Sequence, residues 1–251
     1  NIIIGDIMIA SHNMMNTELL MQLDSPTITN KYNLKIASFL LAIFFISSVH
    51  ADVPTIIFPT VETEPVISPE DAADDPAIWI NNADPKKSLI FGTDKKSGIY
   101  VYDLKGNQLS YSNLGKINNI DLRSVKGKLH IVTSNRTMST LDYWIFDEQD
   151  LYKYFRSTPS NSFSESMSHH HLVTGMSVYG VCMGLINNSL KAVITEEEGK
   201  QVQQWDLNEQ IKTHVIDITQ FEKGKPVKGN EAEGCVYDDE NETIFISREG
   251  D

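Results

Sequence analysis

The chain has 251 residues, two cysteines and a formal net charge of −13. Such an acidic balance excludes a polyphosphate-binding surface of the nucleic-acid kind and favours cations as partners. Some 200 residues remain beyond an N-terminal leader, roughly enough to bury a substantial core in a single domain.

Residues 1–30 begin with Asn and precede a charged segment, so they read as an upstream leader outside the fold, with Met21 a candidate true start. Residues 31–51, KYNLKIASFLLAIFFISSVHA, have the plan of a secretory signal. Lys31 and Lys35 supply the positive end, residues 36–46 the apolar run, and Val49-His50-Ala51 the small-residue cleavage site. The apolar run is too short to cross a bilayer, which takes about twenty residues. The expectation is a secreted protein, extracellular or periplasmic, with a mature domain over 52–251 and no membrane segment after cleavage.

The chemistry concentrates first in DAADDPAIW at 71–79. Neighbouring residues of a regular strand point to opposite faces, so Asp74 and Asp75 serve one site only off the ladder. Pro76 suits that break because it donates no N–H. Carboxylates pressed together repel, and a hard cation offsets the repulsion; clustered oxygen donors select calcium or magnesium over zinc. The plain alternative is a solvated acidic turn.

Beyond Trp79 the chain is a series of short alternating strands with polar turns. Residues 88–91 lead to 98–104, 129–135 to 141–147, and 191–195 to 201–208; each unit has an apolar strand, a polar turn and an aromatic strand ending in Asp. The units open at Asp75, Asp121, Tyr179 and Glu233. A repeat of about 45–50 residues with four strands marks an all-β fold of the β-propeller type. A β-sandwich is the other candidate, but its strands would not recur as a unit. STPSNSFSESMSHHH at 157–171 lacks this periodicity and reads as a long solvated loop. Its three histidines offer transition-metal ligands, but no Cys or acid stands at a ligand spacing beside them in sequence. Cys182 and Cys235 both follow glycine-containing motifs in two repeats, so adjacent strands would bring them together, although spacing alone does not establish the approach a disulfide needs.

DAADDPAIW at 71–79 with NNIDLR at 118–123 resembles the signature pair of the β-propeller (alkaline) phytases. TDKKSG at 93–98, SNR at 134–136, VYG at 178–180 and AEG at 232–234 follow in that family's order, as does a strand ending near Glu249, and the likeness covers about residues 62–251. The resemblance implies a secreted, six-bladed, monomeric, calcium-dependent phosphoric monoester hydrolase of the 3-phytase type. Its substrate would be myo-inositol hexakisphosphate, taken as a calcium complex. About three and a half blades would be present here. Carried over by position, Asp74, Asp75, Glu233 and Glu249 would bind several calcium ions. Lys95, Lys96, Arg136, Tyr179 and Lys200 would hold substrate phosphates, with Lys95, Arg136 and Tyr179 nearest the chemistry. Asn119, Asp121 and Arg123, from the second signature, would stand at the channel mouth. Calcium would neutralise phosphate charge and acidify a bound water; Arg136 offers a planar fork to two phosphate oxygens and Lys95 a point charge.

Two departures stand out. Where the family places a lysine after the third repeat's apolar strand, this chain has Glu196-Glu197-Glu198-Gly199-Lys200, and an alignment with one inserted residue puts Glu197 at the lysine's place. The sequence also stops at Asp251, inside a fourth repeat, so the family's later calcium ligands have no counterpart here and the expectation is a domain truncated at that end. The sequence contains no GxSxG, GxxxxGK[ST] or RHGxRxP. The competing functions are a calcium-dependent propeller lactonase or esterase, and a non-catalytic propeller that binds phosphorylated inositol or calcium-phytate.

Overall fold

The computed structural model describes residues 3–5, 58–166, 168–219, 221–222, 225–226 and 231–249; the side chains of residues 3–5, 221–222, 225–226, 231, 248 and 249 lie outside that description. Residues 59–251, with 1–4, form one compact unit, and residues 5–58 make up the other. The expected signal segment and its cleavage site lie outside the described residues.

Three four-stranded antiparallel sheets follow one another, each with its strands hydrogen-bonded in sequence order. The first sheet holds β1 (Ala73–Trp79), β2 (Leu89–Asp94), β3 (Gly98–Asp103) and β4 (Gln108–Asn113). The second holds β5 (Ile117–Val125), β6 (Lys128–Asn135), β7 (Thr140–Asp147) and β8 (His169–Val173). The third holds β9 (Val178–Ile186), β10 (Ser189–Glu196), β11 (Gln201–Asp206) and β12 (Ile211–Asp217). The hairpin β13 (Glu231–Asp238) and β14 (Thr243–Glu249) opens a fourth. The first strands of successive sheets lie beside one another, β1 against β5, β5 against β9, and β9 against β13. These are blades of a β-propeller, with their first strands innermost.

The core lies between blades, and strand alternation sends residues to it from both sides. On β3, Ile99 and Val101 join Leu89 and Phe91 against Ile131, Trp144 and Phe146 of the second blade. Tyr100 and Tyr102, one residue out of phase, pack with Ile90 on the opposite face. Every residue of β2 is buried, because neighbours cover both faces of that strand. The second blade's other face gives Val132, Leu141 and Tyr143 to Met183, Ala192, Ile194 and Trp205 of the third. The third gives Val193 and Val202 to Ala232 and Tyr237 of the hairpin. Removing a side chain such as Phe91 or Trp144 from water contributes about 1.5–3 kcal/mol. A disulfide joins Cys182 on β9 to Cys235 on β13, with Cα atoms 5.6 Å apart, across the same interface.

The Asp that ends each aromatic strand is a turn former. Asp103 accepts the N–H groups of Lys105 (2.8 Å) and Asn107 (3.0 Å), and Asp206 those of Asn208 (2.9 Å) and Glu209 (3.1 Å). Such side-chain bonds replace the ladder partners that the chain loses as it reverses.

The stretch at 157–171 departs from the expected solvated loop. A seven-residue helix, α1 (Leu151–Ser157), leads into it; Pro159, Ser160, Asn161, Ser164 and Glu165 are exposed, as a solvated loop requires, but Ser162 and Phe163 between them are buried. Phe163 is fully buried against Phe91, Trp144, Phe146 and Phe155. Two serines of β4 receive this part of the run: Ser110 Oγ donates to Ser162 Oγ (2.8 Å), and Ser112 Oγ accepts from Phe163 N (3.1 Å). Residues His169–Val173 then return as β8, paired along β7. One aromatic in a polar run gives no periodic signal, yet it is enough to pin the run to the core.

Candidate functional site

At the inner end of each blade the first strand carries a bulge. The register with the second strand shifts between Ala73 and Pro76, Ile117 and Ile120, Val178 and Val181, and Ala232 and Cys235. The displaced pairs are Asp74-Asp75, Asn118-Asn119, Tyr179-Gly180 and Glu233-Gly234. A bulge leaves residues off the ladder and re-aims their side chains. Both Asp74 and Asp75 thereby reach one cavity, as the proline break requires. The register also corrects the alignment of the repeats: the counterparts of Asp75 are Asn119, Gly180 and Gly234, not Asp121, Tyr179 and Glu233, and Tyr179 and Glu233 stand at the place of Asp74.

A hydroxyl on each second strand secures each bulge. Asp75 N donates to Thr93 Oγ1 (2.9 Å), Asn119 N to Ser134 Oγ (3.0 Å), Gly180 N to Thr195 Oγ1 (2.8 Å) and Gly234 N to Ser247 Oγ (2.8 Å). In the first three blades the hydroxyl's own proton then goes to the next blade's bulge. Thr93 donates to Asn118 O (2.6 Å), Ser134 to Tyr179 O, and Thr195 to Glu233 O (2.9 Å). Each of these three hydroxyls thus fixes the bulges of two blades at once.

The cavity these bulges enclose, about 210 Å³, is lined by Asp74, Asp75, Asn118, Asn119, Tyr179, Glu233, Gly234 and Ser247. Burial pushes the Asp75 carboxyl up to about 6, against the bonds it accepts from Ile120 N (3.0 Å) and the Asn119 side chain. Burial also raises Asp74, with the Lys95 ammonium opposing. A wall of oxygen donors whose carboxyls resist ionising is a place where positive charge is missing.

Lys95, Arg136 and Glu197 occupy one position in the first three blades, two residues beyond the hydroxyl. Their N–H groups donate to Ala72 O (2.9 Å), Lys116 O (2.8 Å) and Ser177 O (3.0 Å), respectively. By the same count Glu249 follows Ser247; its backbone pairs with Glu231, and its side chain lies outside the described residues. Lys95 Nζ bonds Asp71 (2.7 Å) and stands 3.7 Å from Asp74, and its pKa is raised first by Asp71. The Arg136 guanidinium sits over the Tyr179 ring at 5.5 Å, touches Asn118 Oδ1 (3.4 Å) and pairs with Glu197. Glu197 therefore holds the third blade's equivalent of the cationic position, with no inserted residue, and engages the cation of the second.

The remaining residues named from sequence lie elsewhere. Lys96 is turned outward, its ammonium on Pro69 O (2.7 Å) and near Glu70 (3.5 Å). Asp121 accepts Met183 N (2.7 Å) and Leu122 N (2.7 Å), and burial raises its pKa. Arg123 bridges Asp121 and Asp239 at 3.1 Å each, tying the second blade to the β13–β14 hairpin; none of the three lines the cavity. Lys200 lies in the turn after β10, where its N–H and that of Gln201 bond Glu196 Oε2. Sequence reasoning misses Asn118 and the four hydroxyls. Their signal is the recurring Ser/Thr two residues before Lys95, Arg136, Glu197 and Glu249.

A family model described as Phytase matches residues 29–251. The 3-phytase of Bacillus subtilis (strain 168) is 34% identical over 199 residues, covering 75% of this chain and 48% of its own length. The chain thus spans about half the length of that curated relative. A crystal structure of a protein of unknown function from Bacteroides caccae aligns with a TM-score of 0.45 at 8% identity, over 77% of this chain and 57% of that one. With the family match running over most of the sequence and the relative identical at a third of the aligned positions, this chain belongs to the phytase family.

Proposed function

We propose that this chain forms part of a secreted, calcium-dependent phosphoric monoester hydrolase of the 3-phytase type. Its substrate is myo-inositol hexakisphosphate, presented as a calcium complex to a monomeric propeller. The observation that carries the reading is the cavity walled by Asp74, Asp75, Asn118, Asn119, Tyr179 and Glu233, with Lys95 and Arg136 at its border. All of its side-chain donors are oxygens or amides, which suits a hard cation and not zinc. Asp74, Asp75 and Glu233 would hold the ions, with Glu249, two residues beyond Ser247, as the further ligand that the family resemblance implies. Calcium, when bound, supplies the positive charge that the raised carboxyls lack and that a phosphate needs.

The chain's own residues then have separable tasks. Lys95 and Arg136 meet phosphate oxygens, Arg136 with two N–H groups and Lys95 as a point charge. Tyr179 supports the guanidinium plane from below. Thr93, Ser134 and Thr195 keep the bulges from collapsing onto the ladder. The disulfide agrees with an exported protein, since such bonds persist in oxidising compartments.

The Arg136–Glu197 pair favours a second reading, a propeller that binds phosphorylated inositols without cleaving them, because the fork is already engaged. Phosphate release from phytate by the full-length protein separates the two. The expected result is release with calcium and none with excess chelator. Calcium-dependent binding of phytate without any release would favour the second reading, and cleavage of a lactone in its place would replace both.

A further inference from the structure

Outside the cavity, the two-histidine edge of the second blade gathers a different set of donors. His169 and His171 lie two apart on β8, so their side chains share one face, while His170 turns to the other and stacks on Tyr143 at 5.8 Å. Pairing with β7 sets His171 opposite Asp142 and His169 opposite Trp144. Asp142 is fully buried. Its Oδ1 lies 2.7 Å from His171 Nδ1, and its Oδ2 lies 3.9 Å from His169 Nε2. One donor atom from each of the three residues falls within 4.8 Å of the others. The acid that the sequence does not place beside the histidines comes from the neighbouring strand.

We propose that Asp142, His169 and His171 form a site for a borderline divalent transition metal of the Zn²⁺ kind, separate from the oxygen-lined cavity. Hydrogen bonding alone accounts for only half of the arrangement. His171 and Asp142 satisfy each other, but His169 Nε2 is shut off from solvent with no hydrogen-bond partner among the described residues. It faces Asp142 across a gap too long for a hydrogen bond. Two ligands of one tetrahedral zinc, each at roughly 2.0–2.1 Å, stand about 3.3 Å apart. One donor atom from each of the three residues lies within 4.8 Å of the other two, so side-chain rotations that close the set toward that spacing would put all three on one ion.

The surroundings are those of a held ligand set. Thr140 Oγ1 donates to Asp142 Oδ1 (2.6 Å) and Asn135 Nδ2 to Oδ2 (2.9 Å), fixing the carboxylate plane. Trp144 stacks on the His169 ring at 4.3 Å and 16°, fixing its plane too. His171 is partly exposed, which leaves a solvent side for a fourth ligand such as water. Two imidazoles and one carboxylate favour zinc, copper, nickel or iron over calcium. A metal there would clamp β8, the outermost strand of its blade, to β7.

The test uses the full chain saturated with calcium, so that the oxygen-lined cavity is filled, and Co²⁺ or Zn²⁺ alone as probe. The expected result is one Co²⁺ per chain with visible d–d bands of an imidazole-ligated ion, displaced by one equivalent of Zn²⁺, and a rise in Tm on adding Zn²⁺. His169→Gln and His171→Gln should each weaken Zn²⁺ binding at least ~100-fold, the upper end of what losing a group that supports a metal site costs. Gln at 171 still reaches Asp142, so folding is preserved. His170→Gln, on the other face, should bind as the parent does. Equal binding by the parent and the His169→Gln/His171→Gln double variant, loss of binding in His170→Gln, or no Zn²⁺ binding at micromolar concentrations would each overturn the assignment.

Discussion

Arg136 and Glu197 show how one side chain changes what a site offers. Each is about a quarter exposed, so the pair contributes little to stability, about 0–1 kcal/mol. Its larger effect is on substrate, because a phosphate must displace Glu197 before it takes both guanidinium N–H groups. Glu197→Gln should lower KM for phytate several-fold and leave Tm nearly unchanged. A fall in Tm with KM unmoved would make the pair structural. Asp206 behaves differently, and the sign of its pH effect can be worked out. Burial alone would raise its pKa, but Lys191, Glu209 N and Ser189 outweigh it and bring the carboxyl down to about 2. A carboxyl held below its unfolded value of about 3.9 adds stability above that pH and loses it as pH falls toward 2. Urea midpoints of Asp206→Asn and the parent should therefore differ at neutral pH and converge near the folded pKa of about 2. The acids of 71–79 and the cations Lys95 and Arg136 are legible in the sequence because each chemistry needs a rare grouping of charges. The partnering of Arg136 with Glu197 is not, since it depends on where two long side chains from different blades reach.

Among elements, the bulge is the unit that makes the site. Four first strands carry it, and a hydroxyl from the second strand holds each one. The strand pattern is legible from period-2 alternation and from the Asp that closes each aromatic strand. The proline in DDPA also points to the first bulge. The other three bulges carry no proline, and matching the repeats by sequence consequently falls out of phase with Asp75, by two residues at Asp121 and by one at Tyr179 and Glu233. Residues 157–171 defeat a reading by composition because one serine and one aromatic there, Ser162 and Phe163, are buried, whereas a serine-rich run ordinarily marks solvated chain. Gly180 is the element-scale test. A Cβ at this position would stand 1.9 Å from Glu233 O, a backbone atom of the next blade that cannot swing aside. Gly180→Ala should cost about 1–3 kcal/mol in stability and displace Tyr179 and Glu233 together. Calcium affinity and Tm are expected to fall in parallel. An unaltered Tm would mean that the two bulges are not in contact in solution.

Over the whole molecule, each blade buries its faces mainly against its neighbours, so stability resembles a sum of blade terms and interface terms. The interface between the third blade and the β13–β14 hairpin has a small apolar cluster to draw on: Cys182, Val193, Val202, Ala232 and Tyr237 are its buried members. Hydroxyl stitching by Thr195 and the bond from Leu185 N to Asp239 supplement it, and Arg123 of the second blade holds the same Asp239. The disulfide adds a term of another kind, because it restricts the unfolded chain. Cys182 and Cys235 are 53 residues apart, and closing a loop of that length is worth about 4 kcal/mol in the chain-entropy account. A change of that size corresponds to a Tm shift of roughly 8–16 °C for a domain of this length. Cys182→Ala with Cys235→Ala should lower Tm by an amount in that range, and reductant should lower the parent's Tm likewise while leaving the double variant unaffected. Because the same bond spans the two strands that carry Tyr179 and Glu233, calcium should restore part of the lost stability by bridging the two blades from the cavity side. If the double variant melts with the parent in both conditions, the third and fourth blades are held by packing and hydroxyl bonds alone.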